Sequence, residues 1–304
     1  MKNKFYLFTL IPMALSIVGC DSAGGSSEPK PVDVILISGQ SNGVGCTWCN
    51  QLPSSMGQLK YEEFQKGYPE IQIAFNNWTK TWPATGGVGY EQQHDSNNKF
   101  VDVKLGQGNG THSFGPEIGI AEELHEEYGN RLFIIKCACG GSNLKDDWMK
   151  DKKVMYPEFM KYVKAQMESL KEKGYIPTIK ALCWMQGEGD SYYGYYQTYQ
   201  ANTRQFVSDL RADLREYSGE NEFAFIDAGI NNNSARWQYW KQVNDAKIAF
   251  SKESENNFYI DTIGAGMHTN KEPVGNVDAD HYDSDSEVLL GHLFAQAFKP
   301  FLAK

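Results

Sequence analysis

Five short apolar runs alternate with longer segments of helical periodicity, and this alternation is the feature that most limits the fold. The runs have the length and flanking residues of buried strands and cover Val32–Ser38, Arg131–Ala138, Thr178–Trp184, Glu222–Asp227 and Asn257–Ile263. Helical spacing covers Pro116–Tyr128, Pro157–Lys173, Tyr195–Glu216, Ala235–Glu253 and Asp285–Phe298. Repeated strand–crossover–strand units predict a three-layer α/β/α sandwich with a mostly parallel five-stranded sheet.

Length and charge narrow the class of protein further. A chain of 304 residues is long enough for one large domain with a sizeable core. Its 29 basic and 38 acidic residues give a net charge of −9, which excludes nucleic acid as the expected partner. Only one stretch, near the start, is apolar enough to enter a bilayer, so a polytopic membrane protein is also excluded.

That stretch is typical of a bacterial lipoprotein leader. Lys2 and Lys4 precede the apolar segment Phe5–Val18, and the segment ends in Gly19-Cys20, which resembles a lipobox. We expect a signal peptide over residues 1–19, a lipid on Cys20, a flexible Gly/Ser/Pro tether over 20–31 and the folded domain over 32–304. A plain secretory signal cut nearby is the alternative. If the chain is a lipoprotein, we expect the domain in the cell envelope, either periplasmic or surface-exposed. The lipid alone would hold it to the membrane.

The remaining cysteines raise the question of a metal or redox site. Cys46 and Cys49 form a C-x-x-C pair, but Cys137 and Cys139 are too close together on an apparent strand to supply the second pair of a zinc site. A local disulfide or buried thiols are therefore favoured, and Cys183 is most simply a core thiol. We predict no metal and no cofactor.

In parallel sheets, functional groups gather beyond the carboxyl ends of the strands. Ser41 follows the first predicted strand between small residues, either as an exposed nucleophile or within a glycine-rich turn that binds phosphate. Gly140 follows the second, where its N–H either faces a ligand or belongs to a simple turn, and Gly141 competes for the same role. Gln186 follows the third and offers an amide donor, whereas Glu188 either orients a neighbour or is a structural acid.

A histidine near the end of the chain is the best candidate for a base. Asp278 lies three residues before His281 on a predicted turn, a spacing at which the carboxylate can hold the imidazole Nδ1–H. Asp280 is adjacent to the histidine and should point away. His268 is the main rival, but it has no acid at a useful short spacing.

Taken together, four ordered blocks resemble the sialate O-acetylesterase and carbohydrate esterase family 6 group of SGNH-type hydrolases. The blocks are Gly39-Gln40-Ser41-Asn42, Gly115-Pro116-Glu117, Trp184-x-Gln186-Gly187-Glu188-x-Asp190 and Asp278-x-x-His281. The resemblance implies a flavodoxin-like α/β/α fold and metal-free, serine-dependent removal of acetyl groups from carbohydrates. By position it implies Ser41 as nucleophile, His281 as base, Asp278 as its partner, and an oxyanion hole of Ser41, Gly140 and Gln186. The segment Cys46-Thr-Trp-Cys49 departs from the usual pattern.

Candidates for contact with an acetylated carbohydrate lie around the same strand ends. They are Gln40, Asn42, Glu188 and Trp148, while the tyrosines of Ser191–Tyr196 offer further flat rings. Trp237 and Trp240 are expected in the core. The function predicted is a carbohydrate O-acetylesterase of the acetylxylan or sialate type. A surface glycan-binding lipoprotein without catalysis is the alternative, and a lipase or thioesterase is disfavoured because no extended apolar lid segment is present.

Overall fold

The computed structural model describes residues 28–219 and 221–303. The predicted strands lie in one sheet, and helices flank it. The strands are β1 (Lys30–Gly39), β2 (Thr47–Trp48), β3 (Tyr68–Thr81), β4 (Gly89–Asp95), β5 (Val101–Val103), β6 (Ser113–Phe114), β7 (Leu132–Lys136), β8 (Cys139–Gly140), β9 (Tyr175–Met185), β10 (Ala224–Ala228) and β11 (Asn257–Ile260). The predicted signal peptide and the predicted lipid attachment site, Cys20, lie outside the described residues.

Ten α-helices are present within those described ranges. They are α1 (Ser41–Val44), α2 (Leu52–Ser55), α3 (Gln58–Lys66), α4 (Glu117–Tyr128), α5 (Met155–Glu172), α6 (Glu188–Tyr193), α7 (Tyr196–Asp213), α8 (Arg215–Ser218), α9 (Trp240–Ser251) and α10 (Ser284–Phe298). The five predicted helices correspond to α4, α5, α7, α9 and α10. None of the helices in the part of the chain described here is long and apolar enough to cross a bilayer.

The predicted α/β/α class is confirmed by the order of the strands. β7, β1, β9, β10 and β11 lie side by side in that order, and every neighbouring pair is parallel. These are the five predicted strands. Their near-continuous apolar sequences follow from burial on both faces of the sheet; in β1, for example, the eight residues from Val32 onward are all buried.

The predicted count of five strands is wrong, because nine strands form the sheet within residues 28–219 and 221–303. β3 pairs parallel with β7, and its other partners are β8 (parallel) and the antiparallel strands β4 and β5. The 14 residues of β3 mix polar and apolar side chains without regular alternation. Because this composition has no continuous apolar run, a prediction based on such runs does not detect this long strand.

The topology directs attention to one edge of the sheet. The chain leaves β1 and later returns on both sides of it, as β7 on one side and β9 on the other. Such a reversal of strand order opens a crevice at the carboxyl ends of the strands. The segments that follow β1, β7 and β9 therefore meet there, and these are the segments that carry Ser41, Gly140 and Gln186.

Candidate active site

Ser41 stands at a sharp turn between β1 and α1. Gly39 has a φ of +134°, and a Cβ at this position would lie 2.0 Å from the carbonyl oxygen of Met185, so only glycine fits. Ser41 is the first residue of α1, where a backbone N–H has no partner within the helix. No residue in the described ranges forms a hydrogen bond with the Ser41 hydroxyl. The turn thus offers both a free hydroxyl and a free N–H.

His281 and Asp278 form a close pair on the loop before α10. The Nδ1 atom of His281 lies 2.6 Å from Oδ2 of Asp278, which fixes the imidazole and leaves Nε2 for other partners. Asp280 points elsewhere, since its carboxylate accepts hydrogen bonds of 2.6 Å from both Arg236 and Ser234. The carboxylate of Asp280 is thus engaged by residues other than His281.

Asn42 joins the nucleophile turn to the histidine loop. Its Oδ1 accepts a 3.1 Å hydrogen bond from the backbone N–H of Tyr282, and its Nδ2 lies 3.4 Å from the carbonyl oxygen of Asp280. These two backbone groups flank His281, while Asn42 itself follows Ser41 directly. The Asn42 side chain therefore holds the segments carrying the hydroxyl and the imidazole against each other.

The surroundings of His281 favour its protonated form. Burial of the imidazole opposes protonation, but the neighbouring side chains of Cys46 and Asp278 outweigh that effect and raise the pKa of His281 well above its usual range. The pKa of Asp278 is lowered: burial opposes the charged carboxylate, but the hydrogen bond and charge of His281 outweigh that opposition. The position of Cys46 beside the imidazole was not predicted, because nothing in the spacing of the C-x-x-C pair points to a distant histidine.

A pH profile tests this electrostatic arrangement. A base must be neutral to accept a proton, so kcat/KM for ester hydrolysis should fall as the pH drops through a value above about 6.5, the pKa of an unperturbed histidine. In Asp278→Asn the imidazole loses its carboxylate, so the acid limb should move to lower pH while the plateau falls by up to about 10⁴-fold.

The matched control for this pH experiment is Asp280→Asn, in which the carboxylate removed is bound to Arg236 and Ser234 rather than to the imidazole. Its acid limb should move much less than that of Asp278→Asn. An acid limb of Asp278→Asn that coincides with the wild-type limb would contradict the pairing.

The two remaining oxyanion candidates differ in what their surroundings allow. Gly140 is close to the nucleophile, since a Cβ built on it would lie 4.0 Å from the Cβ of Ser41. Gln186 is completely buried, and its Nε2 donates to Asp190 at 2.7 Å and to Gln40 at 3.3 Å. Both amide hydrogens of Gln186 are engaged, so the structure does not support the predicted oxyanion role for this residue.

Three predicted substrate contacts are not supported either, because the side chains are buried. Asn42 donates to Glu188 at 2.8 Å, and both residues are fully inaccessible. Burial also raises the pKa of Glu188. Trp148 is fully buried beside Trp184, and its Nε1 donates to Ser142 at 2.8 Å. The sequence placed these residues near the active edge, but it could not show that they face the interior.

An open pocket of about 360 Å³ lies beside the nucleophile turn. Its lining consists of two glycines, one amide, one cation and four aromatic rings: Gln40, Trp82, Gly141, Gly189, Tyr192, Tyr193, Arg236 and Trp237. Trp82 and Tyr192 are each more than half exposed. Its volume falls within the range of small-molecule sites, about 300–1,000 Å³. Trp237, predicted as a core residue, is mostly buried but contributes to the pocket wall; Trp82 was not predicted at all.

His268, the rival histidine, belongs to a separate cluster. Its Nδ1 lies 2.5 Å from Asp283, which also accepts hydrogen bonds from the backbone N–H groups of Asn270 and Glu272. No acid lies at a short spacing from His268 in the sequence, but the fold supplies one from 15 residues further along the chain. The hydrogen bond between His268 and Asp283 stabilises the loop that leads to His281.

The five cysteines in the described ranges are free thiols, and all but Cys46 are buried. Of the two arrangements that the spacing left open, the structure shows thiols. Burial raises the pKa of Cys49 to about 11, which keeps this thiol protonated. Across residues 28–219 and 221–303, no group of three or more His, Cys, Asp or Glu side chains is placed to hold a metal ion.

Comparisons with known proteins agree with this architecture. The model of the family described as carbohydrate esterase, sialic acid-specific acetylesterase, matches residues 31–300. A search of curated protein sequences found no significant match. Among solved structures, a protein from Arabidopsis thaliana is 19% identical with a TM-score of 0.57, and the alignment covers 90% of this chain and 100% of that one.

Two further structures have related folds. A protein called NanS is 16% identical with a TM-score of 0.57, over 90% of this chain and 98% of its own. A carbohydrate acetylesterase from Xanthomonas citri is 14% identical with a TM-score of 0.54, over 89% of this chain and 56% of its own. At these identities the likeness is evidence of a shared fold.

The family match and the fold together define the class of protein as an α/β/α esterase that removes acetyl groups from carbohydrates. The chain belongs to the sialic acid-specific acetylesterase family of carbohydrate esterases, whose model spans most of its length.

Proposed function

We propose that the protein removes acetyl groups from the hydroxyls of a glycan through Ser41, His281 and Asp278. The observation that carries this proposal is the Asn42 clamp, which fixes the Asp278–His281 loop against the turn that presents Ser41. The aromatic pocket next to this turn supplies flat apolar surfaces against which a sugar ring can pack.

The proposed reaction begins when Ser41 Oγ forms a bond to the acetyl carbon and His281 Nε2 accepts the hydroxyl proton. The π electron pair of the carbonyl moves to its oxygen, where backbone N–H groups of Ser41 and Gly140 stabilise the charge. As the intermediate collapses, the bond from carbon to the sugar oxygen breaks, and His281 gives its proton to that oxygen. Water then releases acetate from Ser41 through the same base, with Asp278 holding the imidazole throughout.

A panel of acetylated glycans tests the proposal and identifies the substrate. Acetylated xylan, O-acetylated sialic acid and acetylated pectin would each be incubated with the mature protein, and acetate release would be measured beside Ser41→Ala. We expect release from at least one glycan, and only with the wild-type protein. Glycan binding without acetate release would instead support the alternative function of a non-catalytic binder.

We also propose that a lipid on Cys20 holds this esterase in the cell envelope. The proposal rests on the leader sequence alone, which ends in Gly19-Cys20 after an apolar segment. Metabolic labelling with a fatty acid should mark the wild-type protein and not Cys20→Ala. Equal labelling of both proteins would contradict the assignment.

A further inference from the structure

The side-chain amide of Gln40 is held in one orientation by three donors. Its Oε1 accepts hydrogen bonds from the backbone N–H groups of Gly187 and Gly189, at 3.3 and 3.0 Å, and from Nε2 of Gln186 at 3.3 Å. All three donors belong to the segment that follows β9. Three donors on one oxygen identify it as the carbonyl and assign the NH₂ group to the opposite side.

That NH₂ group is available for a ligand. The Nε2 atom of Gln40 has no hydrogen-bond partner in the described part of the chain, although the residue is only 3% exposed. Gln40 lines the aromatic pocket together with Gly141, the residue directly after Gly140. Gln40 therefore lines the same pocket as the neighbour of Gly140, and it directly precedes Ser41 in the chain.

Gln186 has no free amide hydrogen to offer an oxyanion. Gln186, the predicted third donor to the oxyanion, donates its two amide hydrogens to Asp190 and Gln40. Tyr199 donates to its Oε1 at 3.0 Å, so rotation of the Gln186 amide is opposed from both ends. Gln186 thus acts on Gln40, and Gln40 is left with the free donor.

We propose that Nε2 of Gln40 is the third donor to the oxyanion, beside the N–H groups of Ser41 and Gly140. The assignment rests on the proposed function, since it requires Ser41 to attack an acetyl carbonyl. Gln186, Gly187 and Gly189 are then positioning groups, which aim the Gln40 amide before the substrate arrives. A donor fixed in advance needs no reorganisation during the reaction, and this is the condition for strong stabilisation of developing charge.

Two substitutions distinguish the effect of losing the Gln40 NH₂ donor from the effect of losing the hydrogen bonds to its Oε1. Gln40→Glu keeps an oxygen for the three donors and removes the NH₂ group, whereas Gln40→Met removes both. We expect each to lower kcat for p-nitrophenyl acetate by about 10²–10³-fold at the plateau of the pH profile, with KM changed far less. Only Gln40→Met should also lower the melting temperature, because it leaves Gly187 and Gly189 N–H groups unpaired.

Inhibition by a transition-state mimic is a measurement that a purely structural role of Gln40 would not change. Trifluoroacetone adds reversibly to a serine hydroxyl and places a negative oxygen in the oxyanion hole. Its inhibition constant should rise about 10²-fold in Gln40→Glu, while KM for p-nitrophenyl acetate should change less than about threefold. Suppose that hydrolysis by the wild-type protein depends on Ser41, but that Gln40→Glu keeps the wild-type kcat and the wild-type inhibition constant. This result would overturn the role of Gln40 and leave the proposed function standing. Wild-type hydrolysis that does not depend on Ser41 would overturn both this proposal and the proposed function.

Discussion

Replacing Ser41 with alanine should reduce kcat for acetyl ester hydrolysis by about 10⁴–10⁶-fold. The substitution removes the atom that bonds to the acetyl carbon and leaves the oxyanion donors and the His281–Asp278 pair in place. Hydrolysis of p-nitrophenyl acetate, corrected for the uncatalysed rate, measures the loss. The melting temperature should stay close to that of the wild type, because the Ser41 hydroxyl has no hydrogen-bond partner in the described residues.

Ser218→Ala is the matched control for this experiment. Ser218 ends α8, next to a glycine that lies near Thr178 in the first half of β9, at the edge of the sheet opposite the active site. Its hydroxyl is exposed and bonds only to the carbonyl of Arg215. This variant should keep the wild-type rate. A Ser41→Ala protein that retains more than about a tenth of the activity would rule out Ser41 as the nucleophile.

The largest loss of stability should follow substitution of Lys136. Its Nζ, fully buried at the end of β7, donates to Glu117 at 2.8 Å, to the carbonyl of Gln107 at 2.7 Å and to the carbonyl of Val44 at 3.1 Å. Lys136→Met leaves the Glu117 carboxylate buried without its cation. We expect the free energy of unfolding to fall by about 3–5 kcal/mol, measured by urea titration.

Two further variants show that the loss comes from an unpaired charge. The double variant Lys136→Met/Glu117→Gln should recover part of the lost stability, because no isolated charge remains. Lys171→Met breaks an exposed pair with Glu168 and should change the free energy of unfolding by no more than about 0.5 kcal/mol. A loss below about 1 kcal/mol in Lys136→Met would contradict the role given to the pair.

The parallel core of the fold was predictable because burial on both faces imposes continuous apolar runs. β1 and β9 illustrate this point, since each is buried over most of its length. β3 was not predictable in the same way. It pairs with parallel strands (β7 and β8) as well as antiparallel ones (β4 and β5), and its burial follows no single period.

The candidate site was predictable where chemistry and short spacing coincide. Asp278 and His281 lie three residues apart, and that distance suits a local hydrogen bond. The direction of the Gln40 amide was not predictable, because it depends on backbone N–H groups of the segment after β9, almost 150 residues further along the chain. Trp82 and Cys46 were missed for the same reason: each reaches the site through tertiary contacts that leave no trace in local spacing.

The Asn42 clamp has a consequence for biosynthesis. The hydrogen bond from Tyr282 to Asn42 joins residues that are 240 positions apart. A growing polypeptide therefore exposes its serine turn long before the partner loop has been translated, and no truncated product ending before that loop can assemble the site. Catalytic competence therefore has to await synthesis of the C-terminal part of the chain.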